Sequence, residues 1–451
     1  MVTSSFTSSA ESPQARGCNV EGLRGRRLLA AEEEENPCSA PEAGAACLQA
    51  RLAETDAALA ALAATDAARR ERPDDFALDA ERIAAAAAGD RGDALFDPGW
   101  REGLEHYAGS AAEDGRLTSL GIAMSTERAI DQLRSGAAIA ALRRDRPDIA
   151  CTPIAPPIFI TGGWRTGTTF LFRLLATDPQ LRAPLPAELR KPWRTATLTA
   201  DEREQLLDAS GAASEVLNAL NPGIRAIHDF GPHLPEECGL AMGTDLRSWS
   251  LSATVRLDSY SEWLSTQDLG PTYRNYRRVL ECLDAGDGRR WVLKAPPHLA
   301  ELSSLAGAFP GAVVVVLHRD VVETIASGAS LFAVFRSTYS DDVDAVDVGR
   351  FQADQTEQWM RRAQAFRRSD AAGDVTIVDL HYSDLVADPG AAIARVCVAA
   401  GLAPPADTAA FVDAYNHRFP RHAHGAHRYS AADFGLDEHE IRQRFASLDA
   451  Q

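Results

Sequence analysis

One segment of this chain restricts its fold more than any other. The apolar run Ile158 to Thr161 leads directly into residues 162–169, with the sequence GGWRTGTT, and a helical pattern follows. Strand, glycine-rich turn and helix in this order form a loop whose backbone N–H groups and helix N-terminus bind an anion. The segment therefore predicts a phosphate-binding loop (P-loop) at the edge of an α/β sheet.

The loop departs from the common nucleotide-binding pattern at one position. Its spacing is that of G-x-x-x-x-G-K-[ST], but Thr168 stands where the lysine belongs. That lysine serves the β- and γ-phosphates of a triphosphate, so a loop without it suits a shorter anion. Arg165, inside the loop, offers a planar fork of donors for a tetrahedral oxyanion.

The rest of the chain predicts the architecture around this loop. Apolar runs with strand character recur at Trp291–Leu293, Val313–Leu317 and Val375–Val378, with helical stretches between them. This alternation predicts a P-loop NTPase-like α/β fold, in which a parallel sheet is covered by helices on both faces. We expect this domain to cover residues 151–451. Residues 47–150 are predicted to form a helical N-terminal region, and residues 1–46 a disordered extension.

Composition excludes some classes of partner. The formal net charge is −18 and the pI is about 5.1, which argues against binding nucleic acid or an anionic membrane surface. The seven cysteines form no C-x-x-C pair, as is typical of reduced thiols. No apolar run approaches the length of about 20 residues that a membrane span needs, and no signal-peptide pattern is present. We expect a cytoplasmic protein with no membrane span.

A second possible anion-binding element follows the run Val313–Leu317. Arg319 comes at the predicted strand end, and Ser327 lies eight residues later on the predicted helix. An arginine and a hydroxyl in these positions can converge on one phosphate. The alternative is an arginine paired with Asp320 or Glu323, with Asp320 also capping the helix.

A third element is the stretch Trp291 to His298. Lys294 falls at the carboxyl end of a predicted strand, where open α/β sheets bind ligands. His298 adds a titratable group near the same edge. A solvated lysine and a helix-capping histidine are equally compatible with the pattern.

Residues 226–238 are dense in potential ligands, among them His228, His233, Glu236 and Glu237. Their spacing is not that of a standard zinc site, so we interpret this stretch as a substrate-side loop and predict no metal site.

Together these residues resemble a known family. Arg165–Thr169 and Arg319 with Ser327 resemble the two elements of the sulfotransferase superfamily that bind 3′-phosphoadenosine 5′-phosphosulfate (PAPS). The chain resembles bacterial sulfotransferase-family proteins with an R-[ST]-G-T-T loop, and in that loop it is similar to tyrosylprotein sulfotransferases. The resemblance runs from about Pro157 to Phe445. It extends to three further stretches, which are Lys294–His298, Tyr382–Pro389 and His427–Leu436.

The resemblance implies transfer of a sulfuryl group from PAPS to a hydroxyl or amine acceptor, with release of adenosine 3′,5′-bisphosphate (PAP) and no need for a metal. Arg319 and Ser327 would bind the 3′-phosphate, and a late basic segment with Arg421 and Gly425 would close over it. The 5′-phosphosulfate would be bound by the loop residues Arg165, Thr166, Gly167, Thr168 and Thr169.

The resemblance also implies catalytic roles. Arg165 and Lys294 would stabilise charge on the sulfuryl and bridging oxygens. Glu188 is the predicted base, and His298 is the alternative, because its ordinary pKa of about 6.5 suits neutral pH.

Two other functions remain open from the sequence. A P-loop kinase or nucleotide hydrolase acting on ATP is the main alternative, because Val313–Leu317 followed by Asp320 imitates a Walker B strand. Thr168 in the lysine position argues against it. The second open function is that of a nucleotide-binding scaffold that catalyses no reaction. The acceptor, whether a small molecule or a glycan, is not identified by the sequence.

Overall fold

The structure is a computed structural model that describes Ala60, Ala64, residues 78–284, Gly286, residues 288–419 and residues 429–448. The predicted extension over residues 1–46 lies outside the described residues. So do Arg421 and Gly425, the two residues predicted to close over the 3′-phosphate.

A five-stranded sheet forms the centre of the fold. Its order is β2-β3-β1-β4-β5 and every neighbouring pair is parallel. The sequence predicted four of these strands and missed β2, which has two residues. The strands are β1 Ile158–Gly162, β2 Leu181–Arg182, β3 Arg290–Lys294, β4 Val313–His318 and β5 Thr376–His381.

Helices cover both faces of this sheet, as predicted. Every residue of β1 is buried, and successive side chains point to opposite faces. Ile158 and Ile160 pack in one apolar cluster with Leu171, whereas Phe159 packs in a second cluster with Leu293. Strands buried on both faces must be apolar throughout, which explains why they appear in the sequence as short continuous apolar runs.

Within residues 78–150, four α-helices precede the sheet. Two of them begin at side-chain caps, with Asp79 accepting from the Arg82 N–H and Thr118 from the Gly121 N–H. Buried residues of these helices, such as Leu104 and Leu133, belong to the same apolar cluster as Phe159 of β1 and Leu293 of β3. The helices are α1 Ala80–Ala88, α2 Trp100–Glu113, α3 Ser119–Asp145 and α4 Pro147–Ala150.

The remaining helices connect the strands and form the carboxyl-terminal part. Among the helices within the described ranges, none has both the length and the apolar composition needed to cross a membrane. They are α5 Thr168–Leu175, α6 Pro186–Arg190, α7 Pro192–Thr195, α8 Ala200–Leu220, α9 Gly223–Ile227, α10 Asp258–Ser265, α11 Gly270–Leu283, α12 Leu302–Ala308, α13 Val321–Arg336, α14 Ala345–Arg367, α15 Tyr382–Ala387, α16 Pro389–Ala399, α17 Thr408–Arg418 and α18 Glu438–Phe445.

The buried carboxyl group of Asp245, in a turn between α9 and α10, predicts how stability depends on pH. Burial raises the pKa of Asp245 to about 6, opposed by hydrogen bonds from Thr272 and the Arg247 N–H. The unfolded chain ionises at its ordinary, lower pKa, so the contribution of this group to stability is lost as the pH rises through about 6. Between about pH 4 and pH 7 the loss is about 2 kcal/mol.

The check is denaturant unfolding of the wild type and Asp245→Asn across this range. We expect the free energy of unfolding of the wild type to fall relative to that of Asp245→Asn as the pH rises. Parallel pH profiles for the two proteins would contradict the assignment.

Candidate active site

The topology brings several strand ends together around β1. The chain runs to β2 and β3 on one side of β1, then crosses to β4 and β5 on the other. In an open parallel sheet such a crossing leaves a crevice at the carboxyl ends of the strands. Lys294 ends β3 and Arg319 directly follows β4, so both lie at the same edge as the glycine-rich loop after β1.

The turn at the end of β1 requires glycine at the last residue of the strand. Gly162 has φ +151°, and a Cβ there would lie 2.5 Å from the Leu317 carbonyl oxygen of β4. Gly167, with φ +91°, is the left-handed residue from which α5 starts, and Arg165 is also left-handed at φ +61°. The turn therefore ends at a helix N-terminus, which favours an anion.

Arg165 joins the loop to two neighbouring elements through hydrogen bonds. Its Nη1 donates to the Ile227 carbonyl at 2.7 Å, and its own carbonyl accepts from Arg319 Nη1 at 2.9 Å. Burial lowers the pKa of the guanidinium below its ordinary value. The phosphate-binding loop is thus hydrogen-bonded both to the end of β4 and to the end of α9.

Lys294 is the buried cation of the site. Only 2% exposed, it donates from Nζ to Thr169 Oγ1 at 3.1 Å and forms an ion pair with Glu237. Only two of the 46 basic residues in the chain are lysines, and the other, Lys191, is exposed. The structure therefore brings the predicted residues Lys294 and Thr169 together at the start of α5.

The sequence did not assign a role to the two glutamates beside Lys294. Glu236 is buried; it accepts the Glu237 N–H at 2.8 Å and lies 3.2 Å from His228 Nε2. Burial raises the pKa of Glu236, but His228, the hydrogen bonds and Lys294 outweigh burial and bring it to about 2. The residues predicted to form a substrate-side loop, 226–238, therefore pair Glu237 with Lys294 and Glu236 with His228.

Arg319 is paired with Glu323, one of the two partners that the sequence offered as the alternative. Its Nε donates to Glu323 at 2.7 Å, and its guanidinium lies 4.5 Å from the centre of the Tyr382 ring. Asp320 caps α13 by accepting the Glu323 N–H. The Ser327 side chain is 2% exposed, and its hydroxyl has no hydrogen-bond partner among the residues that the structure describes.

A cavity of about 450 Å³ opens beside the loop. Gly163 and Thr166 of the loop line it together with Arg319 and Tyr382, and Trp359 of α14 forms part of its apolar wall. The cavity thus connects the phosphate-binding loop to the residue predicted to bind a second phosphate.

Glu188, the predicted base, is fully buried and has other partners. Its carboxylate accepts from the Leu185 N–H at 2.8 Å and from Arg203 Nε at 3.1 Å, and it lies 3.7 Å from Arg182 Nη2. These contacts cap α6 and join it to α8. A role as base stays a prediction, and it requires the carboxylate to leave these partners.

His298, the alternative base, is also fully buried. Its Nδ1 lies 2.7 Å from the Tyr273 hydroxyl, and its ring packs edge-on against Phe159 at 5.1 Å. Burial, assisted by the positive charge of Lys294, lowers the pKa of His298 to about 3. The imidazole is therefore neutral at neutral pH, and it is a weak base.

Comparison with known proteins agrees with this arrangement. A sequence model described as the sulfotransferase family matches residues 156–406, more than half of the chain. The chain belongs to the sulfotransferase family. The matched range contains the phosphate-binding loop, Lys294, Arg319 and Ser327, and this membership counts against a kinase or nucleotide hydrolase.

A curated relative of this sulfotransferase family member is omega-hydroxy-beta-dihydromenaquinone-9 sulfotransferase Stf3 of Mycobacterium bovis. The two are 25% identical over 283 residues, which cover 56% of this chain and 65% of the relative. The chain thus spans slightly less than two thirds of the length of that relative.

Two crystal structures are similar to this sulfotransferase family member over most of their length. Sulfotransferase STF1 of Mycobacterium tuberculosis H37Rv is 29% identical, with a TM-score of 0.68, covering 81% of this chain and 98% of that one. Sulfotransferase STF9 of Mycobacterium avium is 24% identical, with a TM-score of 0.69, covering 81% and 95%. The second similarity bears on the fold alone.

Proposed function

We propose that this protein transfers the sulfuryl group of PAPS to a hydroxyl or amine acceptor and releases PAP. The observation that carries the proposal is the buried Lys294 bound to Thr169, at the start of the helix that follows a phosphate-binding loop without the triphosphate lysine. This cation lies where the group transferred from a bound 5′-phosphosulfate is expected.

The chemistry is an in-line displacement at sulfur. The acceptor oxygen or nitrogen forms a bond to sulfur while the bond from sulfur to the bridging phosphate oxygen breaks. Lys294 and Arg165 stabilise the charge that develops on the sulfuryl and bridging oxygens. The sulfuryl group carries less charge than a γ-phosphate, so these two cations replace the magnesium of phosphoryl transfer.

The surroundings of His228 support one class of acceptor. The aromatic rings of Phe230 and Phe335 lie 4.2 and 6.3 Å from the His228 ring, centre to centre. The curated relative is named for a hydroxylated menaquinone. We therefore propose a small-molecule acceptor with an apolar part next to its hydroxyl group, rather than a glycan.

Incubation with PAPS and a panel of alcohols, phenols and amines tests this function, with PAP release and sulfated product as the readout. We expect turnover to be unchanged by EDTA and absent with ATP. Activity that EDTA abolishes and magnesium restores would favour the kinase-like alternative.

The 3′-phosphate assignment predicts tighter binding of PAP than of AMP. Charge-assisted hydrogen bonds from Arg319 are worth about 1.5–3 kcal/mol each, so PAP should bind at least about tenfold more tightly by calorimetry. Arg319→Ala should remove the preference and leave AMP binding nearly unchanged. The control is Arg361→Ala, which removes an exposed arginine paired with Glu357 on α14. Equal affinity of the wild type for PAP and AMP would refute the assignment.

A further inference from the structure

His228 lies beside the phosphate-binding loop. It directly follows α9, and the carbonyl of the preceding residue, Ile227, accepts the hydrogen bond from Arg165 Nη1. The side chain is 15% exposed and its ring lies against Phe230. The imidazole is therefore close to the loop and still open on one side.

Glu236 fixes the tautomer of this histidine. The carboxylate is ionised at neutral pH, so it accepts a hydrogen bond from Nε2–H of His228. A neutral imidazole then carries its lone pair on Nδ1. Nδ1 makes no hydrogen bond within the described residues. A buried carboxylate that holds a histidine in one tautomer and one orientation is the arrangement found where histidine acts as a general base.

The other candidate bases already have hydrogen-bond or ion-pair partners. Glu188 is enclosed by arginines, and His298 Nδ1 is bound to Tyr273. Glu237 forms an ion pair with Lys294. Of these side chains, His228 combines an oriented lone pair with partial exposure next to the loop.

We propose that His228, oriented by Glu236, is the general base that removes the proton of the acceptor, an assignment that rests on the proposed function. The acceptor O–H proton moves to Nδ1 as the acceptor oxygen bonds to sulfur. The bond from sulfur to the bridging oxygen breaks, and PAP leaves with that electron pair. The proton on the imidazolium then passes to solvent.

The test uses acceptors of graded acidity. A base matters for an alcohol or for 4-methylphenol, whose pKa is about 10 like that of tyrosine, and matters little for 4-nitrophenol, which is largely ionised at about pH 8. His228→Ala should lower kcat by about 10²–10³ on the weakly acidic acceptors and much less on 4-nitrophenol. His228→Gln, which retains a donor for Glu236, should show the same pattern if the alanine variant folds poorly.

The matched control is His233→Ala. His233 is in the same loop, but it is exposed and lies between Asp208 at 2.9 Å and Glu204 at 3.7 Å. This variant should keep the wild-type kcat on every acceptor.

The outcomes separate the inference from the function. A wild type that sulfates these acceptors, with His228 variants that lose the same factor on all of them or lose almost nothing, overturns the role of His228 alone. A wild type that binds no PAP and sulfates none of the panel overturns the proposed function, and the inference with it.

Discussion

Lys294→Met is expected to lower kcat by about 10²–10³ while PAP affinity falls by a much smaller factor, because removing one preorganised donor from developing charge costs that much in comparable sites. The lysine stem is buried and methionine has a similar shape, so the substitution removes the charge with little loss of packing. The substitution also leaves Glu237 without its cation, close to where the sulfuryl group is expected. Repulsion between the Glu237 carboxylate and the sulfuryl oxygens should then lower kcat further.

Single-turnover transfer from PAPS, with PAP binding measured by calorimetry, checks this expectation. Lys191→Met is the matched control, because Lys191 is the other lysine of the chain and is exposed. It should behave as wild type. If Lys294→Met retains a kcat within a few-fold of wild type, Lys294 does not stabilise the transferred group.

Glu188→Gln is expected to lower the free energy of unfolding by about 3 kcal/mol, because one member of a buried charged network loses its charge. The carboxylate is fully buried; it accepts from Arg203 and caps α6 through the Leu185 N–H. Urea unfolding measures the change. Glu204→Gln, an exposed change on the same helix as Arg203, is the control and should unfold close to wild type.

The same variant separates two assignments of the base. If Glu188 is the base, as the sequence predicts, folded Glu188→Gln should lose about 10²–10⁴ in kcat with PAP affinity unchanged. If His228 is the base, the folded variant should keep a kcat within a few-fold of wild type. The assay is run well below the unfolding midpoint of the variant, so that the two effects are not confused.

Much of the fold could be predicted because its signals are local. The valines of β4 and the apolar residues of β1 are consecutive, and the loop that follows β1 has a fixed spacing of glycines. The two residues of β2, Leu181 and Arg182, are too few to form a pattern. Their place in the sheet depends on pairing with Arg290 and Trp291, more than 100 positions away.

The candidate site was predictable only in part. Residues at strand ends, such as Lys294 and Arg319, are found from the strand pattern alone. The partners of these residues cannot be found in this way, because Glu237, which pairs with Lys294, lies in a loop without regular secondary structure. Burial is also invisible in the sequence. It changes His298 from a group with an ordinary histidine pKa into one with a pKa of about 3.

Because the chain has two lysines, amine-selective labelling can follow the site, and the buried Lys294 should react far more slowly than the exposed Lys191. An amine-selective reagent has two lysine side chains to modify in this chain, one exposed and one beside the phosphate-binding loop. Mass spectrometry of the two peptides then gives the ratio of labelled Lys294 to labelled Lys191. Labelling of Lys191 measures the general reactivity of the reagent, and labelling of Lys294 measures access to the site. A compound that changes labelling of Lys294 and leaves Lys191 unchanged is a ligand of the site, so acceptors can be screened without a product assay.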